Sequence, residues 1–145
     1  MAIYWTRELE IGVEPIDRQH QELFARIDAL LSACQAGRCQ DEVSGLLGFL
    51  QAYVQGHFSE EEELMGRSGY PELAEHAAEH AGFGRHLQEL VEGFATQGFT
   101  SALLNELNAT LIDWLYDHIC RRDRALGQWL ALQTPGRVKP QVENP

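Results

Sequence analysis

The sequence predicts an all-α protein, an antiparallel up-and-down four-helix bundle with an extended N-terminal arm. Two observations predict it. Apolar residues recur at three- and four-residue steps, the period of a helix face, through most of the first 130 positions, where few residues favour strands. The candidate helices are joined by short connections, which leave consecutive helices side by side and antiparallel. A chain of 145 residues, 44% hydrophobic and 23% charged, suits one compact domain with a real core. We place the bundle over 1–132 and a flexible tail over 133–145, where the run TPGRVKPQVENP lacks apolar periodicity.

The arm holds Trp5, Leu9, Ile11 and Val13, enough apolar surface to pack in extended form. The first helix is expected to begin near Asp17, a good N-cap residue. It carries Ile16, Leu23, Phe24, Ile27, Leu30, Leu31 and Cys34 on one stripe before Gly37 stops it. The second opens after Gln40 and aligns Val43, Leu46, Leu47, Leu50, Tyr53 and Val54, ending near Met65 and Gly66. Ser68-Gly69-Tyr70-Pro71 reads as a turn. The third runs from about Pro71 to Phe94 on Leu73, Ala77, Phe83, Leu87, Leu90 and Val91, weakened by Gly82 and Gly84. The fourth and longest starts near Thr100 or Ser101 and aligns Leu104, Leu107, Leu111, Trp114, Leu115, Ile119, Leu126, Trp129 and Leu130.

Polar residues on these apolar stripes carry the functional signal, because a buried polar group needs a compensating partner. His20 lies on the first stripe. On a wheel of roughly 100° per residue, Val43, Leu46, Leu50 and Leu64 fall within about 40° of His57, so this histidine points inward. Glu61 falls about 40° from His57 and Glu60 about 60° on the other side, which favours Glu61 only modestly. Glu62 and Glu63 belong to the solvated side. His76 and His80 repeat the four-residue spacing on the third helix, a spacing at which two side chains can hold one metal ion. His118 follows Trp114 by one turn. Asp123 is about 140° from His118 on an ideal wheel, and periodicity alone does not select it. His86, about 240° beyond His80, reads as a surface residue. The Arg121, Arg122, Asp123, Arg124 cluster reads as a solvated helix face.

A single histidine on an apolar face is ordinarily a core residue bonded to a carbonyl. Inward histidines on all four helices would need many separate partners, whereas one metal site satisfies them together. Imidazole and carboxylate without thiolate suit iron, zinc, copper, nickel or manganese. Six or seven candidate ligands exceed what one tetrahedral zinc needs, so two carboxylate-bridged ions are the economical reading.

The ordered motifs DRQH, HFSEEE, HAAEH and HICRRD resemble the hemerythrin family in its single-domain bacterial form, from Trp5 to about Leu130. The flanking runs EIGVEPIDRQH and ELMGRSGYPELAEH resemble it as well. The resemblance implies two iron ions with an oxo or hydroxo bridge. It implies that His76, His80 and His118 bind one iron, that His20 and His57 bind the other, and that Glu61 and Asp123 bridge them. Leu115 and Trp114 match family positions that shield the oxygen pocket, and by stripe position Phe24, Phe58 and Phe83 are candidates to extend that wall.

The implied function is reversible dioxygen binding for storage, delivery or sensing, with no catalytic residue. The alternative is a di-iron redox enzyme: an oxidase, peroxidase or nitric oxide reductase. Sensing would need a separate protein partner. A formal net charge of −11 argues against nucleic acid and anionic membrane surfaces as partners. No apolar run is long enough to span a bilayer and no export signal is visible. Three cysteines without a CxxC pair argue against a disulfide framework, so a cytoplasmic location is expected.

Overall fold

The computed structural model describes residues 5–133, apart from the side chains at 110–112. Four helices form the expected antiparallel bundle: α1 is Glu14–Gln35, α2 is Cys39–Ser68, α3 is Leu73–Gln97, and α4 spans 101–133. The expected tail lies outside the described residues beyond Gln133. Helix α1 starts one turn earlier than Asp17, because Pro15 fits the first helical turn, where its missing N–H costs nothing. Asp17 is instead a buried side chain that accepts the Ile11 N–H at 2.8 Å and the Gly12 N–H at 3.1 Å, pinning the arm to α1. Helix α2 ends at Gly69, whose φ of 74° is the left-handed C-cap conformation that glycine adopts without strain. Thr100 caps α4 by accepting the Leu103 N–H at 3.0 Å.

Helix α4 is not uniformly α-helical. Ser101–Leu107, Tyr116–His118 and Arg124–Gln133 are α-helical, whereas Asn108–Leu115 and Ile119–Asp123 are wound as π-helix. Leu103 rather than Leu104 is the buried residue at its start.

The core is split into two apolar clusters. The larger contains Leu23, Phe24 and Ile27 of α1, Leu46 and Leu50 of α2, Phe83 and Leu87 of α3, and Leu107, Leu115 and Ile119 of α4. The smaller joins Met65, Tyr70 and Leu126, with Leu73, Trp129 and Leu130 against them. Along α2, α3 and α4 the buried polar residues fall between the two clusters, so the bundle carries one polar layer, set toward the end that holds the α2–α3 turn. Antiparallel packing brings sequence-distant turns to that common level.

Among its described residues the arm contains a 3-10 turn, Arg7–Leu9, so it is not extended throughout. Leu9 and Ile11 are buried, and the Glu8 carbonyl accepts from Arg124 Nη2 at 2.7 Å. Its seat on α4 is Gly127, where a Cβ would lie 2.8 Å from Ile11 Cβ and closer still to the Ile11 carbonyl oxygen. Gly127→Ala is therefore expected to destabilise the fold by about 1–3 kcal/mol through overpacking, measured by chemical denaturation. Gly93→Ala, where a Cβ meets nothing within 4 Å, should instead stabilise α3 by up to about 1 kcal/mol. Equal stabilisation by both would show that the arm does not sit on Gly127.

The cysteine expectation is corrected. Cys34 and Cys39 form a disulfide across the α1–α2 turn, with Cα atoms 3.9 Å apart, while Cys120 is free. The short turn through Ala36 and Gly37 brings the helix ends together; an odd cysteine count excludes complete pairing, not one local pair. Among the described residues, no helix is long and apolar enough to cross a membrane.

Candidate metal centre

The polar layer is built from all four helices. Helix α1 supplies His20, α2 supplies His57 and Glu61, α3 supplies His76 and His80, and α4 supplies His118 and Asp123. None of the seven is more than 3% exposed. On α2 and α3 the paired residues are four apart and share a face as any α-helix dictates. Asp123 shares a face with His118 for a different reason: the segment between them is π-helical, and a π turn closes over five residues instead of four. That local winding is what an ideal α-helical wheel lacks.

All five imidazoles turn Nε2 toward the centre. His76 Nε2 lies 2.9 Å from Glu61 Oε1 and 3.0 Å from Asp123 Oδ1, and His80 Nε2 lies 3.0 Å from Glu61 Oε1. His20 Nε2 is 3.0 Å from Asp123 Oδ2, His57 Nε2 is 3.5 Å from Glu61 Oε2, and His118 Nε2 is 3.4 Å from Asp123 Oδ1. His80 Nε2 and His118 Nε2 face each other at 3.2 Å. Two clusters of ligand atoms result, each with its atoms within 4.8 Å of one another: Glu61, His76, His80, His118 and Asp123, and His20, His57, Glu61 and Asp123. Glu61 and Asp123 belong to both.

These contacts are close, yet several are poorly aligned as hydrogen bonds. His20 Nε2, Glu61 Oε2 and both Asp123 oxygens are buried without a hydrogen-bond partner. Buried polar atoms are ordinarily paired, so a set of orphaned nitrogen and oxygen donors converging on common points is what cation ligands look like before other partners are considered. The donor set fits a pair of carboxylate-bridged, imidazole-bound ions.

The electrostatics agree. Burial and the neighbouring Asp123 charge push the Glu61 carboxyl up, but the contacts from His57, His76 and His80 outweigh them and hold it at about 2. Burial also raises Asp123, whereas His118, His20 and His76 bring it well below the usual carboxylate range. Burial lowers His76, and Asp123 and Glu61 overcome this to raise it to about 9. Two buried carboxylates thus remain anionic and demand positive charge beside them.

Several residues around this layer depart from the sequence reading. Glu62, expected to be solvated, has Oε2 2.8 Å from His80 Nδ1. Glu79 Oε1 is 2.9 Å from His118 Nδ1, and Gln19 Oε1 is hydrogen-bonded to His57 Nδ1. The arginine cluster is only partly a free face: Arg122 Nε donates to Glu79 Oε2 at 2.7 Å and Nη1 to Glu72 at 3.2 Å. Periodicity marks none of these, because long side chains reach the layer from its rim. Glu60 and Glu63 are exposed, and so is His86, whose Nε2 lies 3.3 Å from Glu106.

Aromatic rings wall the layer. Phe58 stacks on His80 at 3.8 Å between centroids, Trp114 stacks on His118 at 4.7 Å, and Phe83 stacks on Trp114 at 4.8 Å. Tyr53 stacks on His57 at 4.6 Å, a contact its stripe position alone does not reveal. Leu115 is 1% exposed, whereas Phe24 packs toward Tyr116, with centroids 6.3 Å apart.

A family model described as the hemerythrin HHE cation binding domain matches residues 11–130. A bacteriohemerythrin of Stenotrophomonas maltophilia is 32% identical over 123 residues, covering 85% of this chain and 78% of the relative. Bacteriohemerythrins of Methylococcus capsulatus and Clostridium acetobutylicum are 30% and 28% identical, covering 88% and 83% of this chain and 95% of each relative. No solved structure matches the chain.

Proposed function

The chain belongs to the hemerythrin family, and on that premise we propose that it binds dioxygen reversibly at a non-haem di-iron centre. In this reading His76, His80 and His118 would hold one iron, His20 and His57 would hold the other, and Glu61 and Asp123 would serve both, with an oxo or hydroxo ion completing the pair. The observation that carries it is the division of seven buried side chains into two ligand clusters that share both carboxylates. When bound, the iron pair supplies the two electrons that dioxygen takes up.

The protein's own residues do the rest. The cluster containing His20 and His57 has one histidine fewer than its neighbour, which leaves it the side a small ligand can approach. Phe58 and Trp114 stack on His80 and His118, Phe83 backs Trp114, and Tyr53 stacks on His57, so aromatic surface covers histidines of both clusters and, with the layer buried, excludes water. Water exclusion favours release of dioxygen unchanged over its loss as a charged product. This supports binding rather than turnover.

The test is to load the protein with iron, reduce it without air, admit dioxygen, follow the visible spectrum, then remove dioxygen and repeat. A coloured adduct that forms and disappears over several cycles is expected. Conversion to a stable ferric form on first exposure would count against carriage and for a redox enzyme.

A further inference from the structure

The outer nitrogens of the inward-facing histidines have unequal partners. With every Nε2 turned toward the centre, the hydrogen sits on Nδ1 and donates outward. His80 donates to the Glu62 carboxylate at 2.8 Å and His118 to the Glu79 carboxylate at 2.9 Å. His57 donates to the neutral amide oxygen of Gln19. Nδ1 of His20 and of His76 is buried without a partner. Both carboxylates therefore stand behind the three-histidine cluster, and the two-histidine cluster has only an amide.

Each of these partners but Glu62 is itself fixed in place. Glu79 receives Arg122 Nε at 2.7 Å and the Arg121 guanidinium at 3.4 Å, while Arg121 is anchored on Asp117 at 3.1 Å. Gln19 Nε2 donates to Glu60 Oε1 at 2.9 Å, which sets the amide with its oxygen toward His57. Glu62 is 37% exposed and reaches His80 from the rim.

A carboxylate that accepts the Nδ1 hydrogen pushes electron density onto the ring, making Nε2 the stronger donor; an amide does so less. Resting on the assignment of these histidines as iron ligands, we infer that Glu62 and Glu79 are positioning residues that orient His80 and His118 and bias the three-histidine iron toward the ferric state, while Gln19 leaves the two-histidine iron the more easily reduced. The asymmetry is built into the chain. It divides the pair into an anchored ion and a responsive one, the latter on the side with fewer protein donors.

Glutamine substitutions test this, because Glu→Gln keeps the side-chain shape and an acceptor oxygen and removes only the charge. Iron-loaded wild type, Glu62→Gln, Glu79→Gln and the double variant Gln19→Glu with Glu60→Gln are compared by redox titration and by chelator competition for ferric iron. The double variant moves a carboxylate behind His57 and keeps the hydrogen bond between positions 19 and 60. Glu62→Gln and Glu79→Gln should each raise the midpoint potential and weaken ferric iron retention about tenfold, equivalent to about 59 mV for the one-electron couple of a single iron. The double variant should move both quantities the opposite way. Should Glu79→Gln fail to fold, Glu62→Gln and the double variant still decide. Unchanged potentials in iron-loaded variants, or a shift of the same sign in all, would overturn the inference while leaving the iron assignment standing. A wild-type chain that takes up no iron would overturn both.

Discussion

Glu61→Ala is expected to strip the protein of nearly all bound iron, and by more than the loss of any single histidine. Glu61 is common to both ligand clusters, with Oε1 against His76 and His80 and Oε2 against His57. Removing a histidine subtracts a donor from one cluster; removing Glu61 subtracts one from each and deletes half the negative charge that would hold the cations. The metal-free fold should suffer too. His57, His76 and His80 would be left around an apolar side chain, and breaking a buried pair by removing one partner costs about 3–5 kcal/mol. Iron per chain by elemental analysis, with denaturation of the metal-free protein, measures both effects. Glu63→Ala, two residues away on the exposed side, should retain wild-type iron. If Glu61→Ala binds as much iron as Glu63→Ala, Glu61 is not a bridge.

The contrast between Glu61 and Asp123 shows what could be read from sequence. Helix period alone turns His57, His76 and His80 inward and leans toward Glu61, because α2 and α3 are regular over those turns. The same arithmetic fails for Asp123, since Ile119–Asp123 is wound as π-helix and no residue type there announces it. Family resemblance selects Asp123 without explaining it; the winding explains it. The four-helix order was legible for the same reason as the histidines. Helix starts were less so, as Asp17 illustrates: its carboxylate serves the arm's backbone instead of the helix end. Glu62 and Glu79 were illegible because a carboxylate at a helix rim meets a buried ring only after the neighbouring helix is docked. The Cys34–Cys39 pair is not legible in the cysteine spacing, because it depends on how tightly the α1–α2 turn closes.

The metal-free protein is expected to lose stability as pH rises from about 6.5 to about 9, and the iron-loaded protein is not. The cause is His76, raised from 6.5 to about 9 despite burial because Asp123 and Glu61 lie against it. A histidine with a raised folded-state pKa contributes stability that is complete below its unfolded value and is lost as pH rises through the folded one. At about 1.4 kcal/mol per pKa unit, the loss is on the order of 3 kcal/mol. Glu61 works in the other direction. Held at about 2 against a usual 4.5, it contributes stability present above 4.5 and lost as pH falls through about 2. The metal-free fold should therefore be firmest between about 4.5 and 6.5 as far as these two groups decide. A bound cation takes over the charge balance that the His76 proton otherwise provides, so the loaded fold has no such alkaline loss. The same proton must leave when the metal enters, and apparent iron affinity should climb with pH, by up to about tenfold per unit, until it levels near 9. Denaturation of metal-free and loaded protein at pH 6, 7.5 and 9 separates the two curves. A metal-free protein equally stable at pH 6 and 9 would show that His76 does not carry that proton, and that the two buried carboxylates are balanced some other way.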